Sequence, residues 1–241
     1  MSKAKSSKTV ELPKGPLRLL LGLAVAESLL AIYQWVELLT LRRGGSTVCD
    51  VNQTLSCGAV WNSRFASAVH EVAGMPVAGL GLVWGVAAVF LTALALLRRG
   101  KAQAQVAPAL LPAIRFLGVM GAGACLVFAI ASVTSGSLCL MCLATYVLVV
   151  AFAAVAFAKL PGPFFPSSEQ MPRTLMWTLG PALGAYVLLL VPGALTPRAL
   201  KAGEGLAKIP DRGGTGAAPG TLSEFLRGLS PMEAQALSDM L

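Results

Sequence analysis

The sequence predicts an all-α membrane protein: a four-helix transmembrane bundle, a fifth transmembrane helix, and a short interfacial helix in the first outer loop. Three observations carry this. Of 241 residues, 56% are hydrophobic and only 12% charged, against about 25% charged in an ordinary soluble domain. Mean hydropathy is +0.72. Four stretches (Met75–Leu97, Phe116–Val133, Leu138–Ala158 and Leu175–Leu195) contain no charge, and each falls within the roughly 17–25 residues that cross a hydrocarbon core about 30 Å thick. A soluble globular enzyme and a disordered or collagen-like chain are excluded.

The first span, Leu19–Leu41, is long enough but carries Glu27, Gln34 and Glu37. It is too long for a signal-peptide core and has no small-residue cleavage site behind it. Period-two alternation is absent, so a β-barrel is not expected. The organisation that follows is an N-terminal segment over 1–18 and a four-helix bundle over 19–158, with its outer loop at 42–74. A fifth helix over 175–195 precedes a tail over 196–241 that is Gly-rich and then forms short helices.

The excess of 19 Lys and Arg over 11 Asp and Glu gives +8. These basic residues sit beside the apolar runs and form no continuous face, so they read as topology signals, and no nucleic-acid partner is expected. Lys3, Lys5, Lys8, Lys14 and Arg18 fall on the same side as Arg98, Arg99, Lys101, Arg115, Lys159 and Arg173; with the long C-terminal tail set aside, only Arg42, Arg43 and Arg64 oppose them. Positive charge marks the cytoplasmic side. The amino end is therefore expected in the cytoplasm.

That topology sorts the cysteines. Cys49 and Cys57 fall in the first outer loop, and Cys139 and Cys142 at the outer mouth of the fourth span. Four thiols thus share the oxidising face of the membrane, where disulfides persist. Ser137 is a good cap, which would put Cys139 in the first helical turn, where the positive helix end stabilises a thiolate. Redox use is favoured over a staple, because so small a ring contributes only about 2 kcal/mol, and over zinc, which wants four closed ligands. The Cys49/Cys57 pair alone reads equally as a loop staple; beside a helix-borne CxxC it reads as a relay whose polar loop lets a sulfur change partners. Asn52-Gln53-Thr54 matches a glycosylation sequon but reads as chance between exchanging cysteines.

Across Ala59–Val72, the residues Trp61, Phe65, Val69 and Val72 form an apolar stripe. This predicts one helix on the membrane surface, either roofing a pocket or merely anchoring. A lipid-embedded bundle offers a quinone as electron acceptor, and no haem, P-loop or dinucleotide motif suggests another carrier. Tyr146, one turn beyond Cys142, either donates to a quinone oxygen or sits in a helix contact. Glu27 and Gln34 share a face of the first span; interhelical hydrogen bonding is the expected job of Glu27, with a proton relay as alternative. His70 is expected to be solvated, and Cys125 an inert small hydrophobe.

These residues together resemble the vitamin K epoxide reductase family in its bacterial form. The matching pieces are Cys49-Asp50-Val51, the eight-residue step to Cys57, Ser63-Arg64, Met75-Pro76-Val77-Ala78, and Cys139-Leu140-Met141-Cys142 followed by Thr145-Tyr146. The membrane quinone oxidases that recharge periplasmic disulfide donors share the chemistry but carry their CxxC in the first outer loop, the reverse of the order here. The resemblance implies a thiol:quinone oxidoreductase of the bacterial inner membrane, its site facing the periplasm. Cys142 would stand beside a quinone (ubiquinone or menaquinone), with Cys139 its exchange partner. Cys57 would trade with Cys139, and Cys49 would meet a thioredoxin-like periplasmic protein. Tyr146 would contact the quinone, and Trp61 and Ser63 would belong to the roof over it. Animal relatives open the second span with an asparagine that binds the vitamin K head group; Met75-Pro76-Val77 stands here, which favours plain quinone reduction over epoxide reduction. Thr196–Leu241 holds no cysteine, so the thioredoxin-like partner is expected outside this stretch. The rival reading is a thiolate-based metal-binding or metal-transporting membrane protein.

Overall fold

The computed structural model describes residues 14–45, 47–50, 54–98, 107–134, 136–161 and 166–198. Seven helices are present among them: α1 Lys14–Arg42, α2 Cys57–Trp61, α3 Arg64–Ala73, α4 Val77–Leu97, α5 Ala107–Thr134, α6 Leu140–Lys159 and α7 Met171–Ala194. Helices α1 and α4 to α7 are long and apolar enough to cross a membrane. The expected tail beyond Arg198 and the Asn52-Gln53 part of the sequon lie outside the described residues.

The spans are apolar over nearly all of their surface, and the residues that turn inward are the few polar ones, such as Glu27, Gln34 and Thr178, together with many small ones. Ala24, Ala31, Ala87, Ala88, Ala95, Ala113 and Ala156 are buried, whereas Leu29, Leu126, Val147 and Leu188 are exposed. Lipid is as apolar as leucine, so close backbone approach through small residues, not hydrophobicity, holds such helices together. Gly121 makes the point: a Cβ there would stand 2.4 Å from Trp84 Nε1. Its absence lets Trp84 reach across α5, donate to the Leu117 carbonyl at 3.0 Å, and meet Phe152 edge-on with ring centres 5.1 Å apart.

Helix α5 begins nine residues before the expected Phe116 and takes Arg115 inside it. Arg115 is buried, and its Nε donates to the Ala156 carbonyl at 3.2 Å while Nη2 donates to that of Leu160. A guanidinium there satisfies carbonyls that the end of α6 leaves unpaired. A residue that reads as a flanking charge is thus also a helix cap.

The single surface helix expected over Ala59–Val72 is two helices. Ser63 Oγ accepts from the Ala66 amide at 3.2 Å and starts α3 afresh after Asn62, which resets the helical phase. The predicted stripe therefore breaks: Trp61 is buried, but Val72 is 90% exposed. The inward edge of α3 is Ala66 and His70. Phe65 meets Phe128 of α5 with ring centres 5.5 Å apart, so α3 lies against the bundle.

His70 is buried, not solvated. Its Nδ1 accepts from Arg42 Nη1 at 3.1 Å, and the Gly193 backbone lies near enough to act on the ring, so α3 meets α1 and α7 here. Tyr186 of α7 adds a bond to the Ala73 carbonyl at 2.8 Å, and Trp35 of α1 donates to Thr196 at 2.9 Å. Burial, and then the Arg42 guanidinium, push the His70 ring below its ordinary range. The folded state therefore takes up the proton later than the unfolded chain. Stability is full above the ordinary histidine value of about 6.5 and falls as pH drops below it. Thermal unfolding in detergent should show a lower midpoint at pH 5.5 than at pH 7.5, and His70→Gln, the sequence having no other histidine, should flatten that difference.

Candidate functional site

The α1–α4 connection brings Cys49 and Cys57 into a disulfide with Cα atoms 5.7 Å apart. Asp50 clamps this loop. Its carboxylate accepts from Thr47 Oγ1 at 2.6 Å, Ser56 Oγ at 2.8 Å and the Gly58 amide at 2.9 Å. Burial alone would push the carboxyl up, but these bonds and one from the Cys57 amide hold it below the usual carboxylate range. Ser56 Oγ in turn accepts from the Ala59 amide at 3.0 Å and caps α2. Both sulfur-bearing residues are buried. Among the described residues, Asp50 and Ser56, read as part of a free polar loop, instead tie it down.

Cys139 stands two helix positions earlier than capping by Ser137 would put it. It is itself the cap of α6, its Sγ accepting from the Cys142 amide at 3.2 Å. The cause lies 83 residues upstream: Leu55 and Leu138 form a parallel bridge. The Leu138 amide donates to Thr54 at 2.7 Å and the Ser56 amide to Leu138 at 3.0 Å. Chain held extended at Leu138 cannot be helical. Gly136, at φ +74°, makes the turn from α5 that delivers this segment. Cys139 is held below the ordinary thiol range first by a hydrogen bond from the Cys142 side chain, then by the Cys142 and Met141 amides, against burial and the Asp50 charge.

The same bridge sets the two pairs side by side. Cys49, Cys57, Trp61, Cys139 and Leu38 form one buried cluster, with Cys142 packed against it. Gln34 fixes α1 to the first turn of α6, its Nε2 donating at 2.9 Å both to the Met141 carbonyl and to Thr145 Oγ1. The interhelical bonding expected of Glu27 is thus made by Gln34. Neither oxygen of Glu27 has a hydrogen-bond partner among the described residues.

Beneath the cluster lies a partly open cavity of about 110 Å³ lined by α1, α4, α5 and α6. Its walls include Trp84, Phe128, Val149 and Ala124, with Cys142, Thr145, Tyr146, Gln34 and Glu27 as polar groups. An engineered cavity of about 150 Å³ takes up a benzene, so this one suits a single ring.

A family model described as the vitamin K epoxide reductase family matches residues 18–157. The chain belongs to that family. It is a multi-pass membrane thiol–disulfide oxidoreductase. Neither the curated proteins nor the solved structures give a significant match.

Within this family member, Cys142 and Tyr146 face one cavity, as their one-turn spacing suggests. Trp61 lies on the sulfur cluster rather than in the cavity wall, and Ser63 caps α3 outside it. Cys125, read as inert, is buried but lines the cavity. Among the described residues no three His, Cys, Asp or Glu side chains are disposed to hold a metal ion. Sequence reasoning missed Asp50 and Gln34 as organisers. Ser56-Cys57-Gly58 at the start of α2 is a capping signal for the first; for the second there was only a polar residue in a span.

Proposed function

We propose that this protein is a thiol:quinone oxidoreductase of the bacterial inner membrane, with its cysteine-bearing end facing the periplasm, and that it oxidises a thioredoxin-like partner. The observation that carries this reading is the contact of two cysteine pairs in one buried cluster directly above a ring-sized apolar cavity reached by Cys142. The Lys and Arg bias supports the orientation.

A quinone suits the cavity: aromatic walls for a ring, and the Tyr146 hydroxyl and Cys142 thiol as polar groups for its oxygens. When bound, it supplies an acceptor for two electrons and two protons. The chain's residues do the rest. A dithiol of the partner attacks the Cys49–Cys57 disulfide, leaves as a disulfide, and deposits two electrons and two protons as the Cys49 and Cys57 thiols. Cys57 then attacks Cys139 of an oxidised Cys139–Cys142 pair, freeing Cys142. Attack by Cys49 on Cys57 restores the first disulfide and expels Cys139. A stabilised thiolate is the better leaving group, and Cys139 is the thiol this fold stabilises. The arrangement described, with the first pair joined and Cys139 and Cys142 free, corresponds to completion of that transfer.

The test uses the purified protein in lipid nanodiscs, a reduced thioredoxin-like protein, and short-chain ubiquinone and menaquinone analogues. One hydroquinone should form per partner disulfide. Partner oxidation without quinone consumption, or no exchange at all, overturns the proposal.

A further inference from the structure

Glu27 is 1% exposed, deep in the bundle, and neither carboxyl oxygen is hydrogen-bonded among the described residues. Oε1 lies over Gly81 of α4, 3.4 Å from where a side chain there would begin. The carboxyl thus occupies space that a glycine leaves open between α1 and α4, and it lines the cavity beside Cys142 and Tyr146. Thr145 comes near enough to act on it but makes no hydrogen bond of ordinary geometry to either oxygen. No cavity-lining residue is a cation.

An ionised carboxylate in such a place, without donor or counter-charge, costs several kcal/mol, so the group there is the neutral acid. A neutral acid whose proton has no acceptor in the protein is an incomplete hydrogen-bond arrangement, and buried polar groups are rarely left so. The acceptor that completes it must enter the cavity. Gln34, on the same face of α1, already spends its amide on Met141 and Thr145, so it does not compete. Cavity and Cys142 fix where the ligand's ring lies; Glu27 supplies a proton on the α1 and α4 side of it.

We propose that Glu27 is the acid that protonates an oxygen of the electron acceptor in this cavity, a role that rests on the quinone reading above. As the Cys139–Cys142 disulfide forms, the two thiols lose two electrons and two protons. The electrons pass to the acceptor. One proton comes to an acceptor oxygen from Glu27, and the resulting carboxylate regains a proton released by the thiol pair; the second released proton goes to the other oxygen. Thiols and acceptor balance as disulfide and hydroquinone, with Glu27 unchanged. The other titratable groups facing the cavity are Cys125 from α5 and Cys142 and Tyr146 from α6; the α4 wall presents none.

The experiment compares wild type, Glu27→Gln and Glu27→Asp at full length in nanodiscs. Two reactions are followed: quinone-free exchange between the reduced partner and Cys49–Cys57, and reduction of a short-chain ubiquinone. Glu27→Gln should keep the exchange, lower kcat for the quinone about 10²-fold or more, as loss of a general acid does, and move KM by no more than about threefold. Glu27→Asp should recover part of kcat with a displaced pH profile. Quinone reduction by Glu27→Gln at the wild-type rate across pH 6 to 9 overturns the assignment. So does equal loss of exchange and quinone reduction in both variants, which marks a structural role. Failure of wild type itself to reduce quinone overturns the quinone reading instead.

Discussion

Cys142→Ser is expected to abolish quinone reduction, by about 10³-fold or more, as removal of a covalent reacting group does, and to accumulate a disulfide between Cys57 and Cys139. Without Cys142 the Cys139 sulfur has no partner within its own helix turn. It packs instead against the Cys49–Cys57 pair, and its thiolate is favoured by the amides at the start of α6. Attack on Cys57 releases Cys49, and alkylation of the freed Cys49 removes the one remaining thiol that could expel Cys139 and undo the link. Non-reducing gels after proteolysis between the two segments would show the Cys57–Cys139 species. Its absence under mild oxidation contradicts the relay order, and retained quinone reduction contradicts the placement of Cys142.

Cys57→Ala should separate the two halves of the reaction. Partner oxidation should fall by about 10³-fold or more, because Cys49, left as a lone thiol, offers the partner's thiols no disulfide to attack. Reduction of quinone by dithiothreitol acting at Cys139 and Cys142 should survive. The substitution also removes a disulfide closing an eight-residue step, which the chain-entropy account values at about 2.5 kcal/mol. The variant should still fold, since the spans do not depend on that loop. If partner oxidation and direct quinone reduction fall together in a folded variant, or if neither falls, electrons do not travel through Cys57.

Four of the five spans were legible because long charge-free runs have few other uses, the first by its length despite Glu27 and Glu37, and the grouping of four thiols followed from counting Lys and Arg along the chain. What escaped depended on neighbours remote in sequence. Glu27 and Gln34 share one helix face, seven residues apart, so periodicity cannot say which of them meets α6; the packing that brings Met141 and Thr145 opposite Gln34 decides it. Cys139 is a cap rather than a first-turn residue because Leu55 holds Leu138 extended. His70 sits on a polar-looking segment, and only the approach of Arg42 and Gly193 shows why it is buried. The break before α3 was the one local miss: Asn62-Ser63 carries a capping signal that the apolar stripe masked.

The Asp50 clamp has a kinetic consequence. Cys49 is 3% and Cys57 0% exposed, so a dissolved thiol meets no sulfur on this surface until Thr47, Ser56 and Gly58 let go of the carboxylate. Small reductants must wait for that rare opening, and their rate is scaled down by its population. A protein that docks and prises the segment apart suffers no such delay. The fold thereby discriminates among reductants by their ability to open a latch rather than by redox potential, which shields the oxidised site from being discharged by whatever thiols drift past.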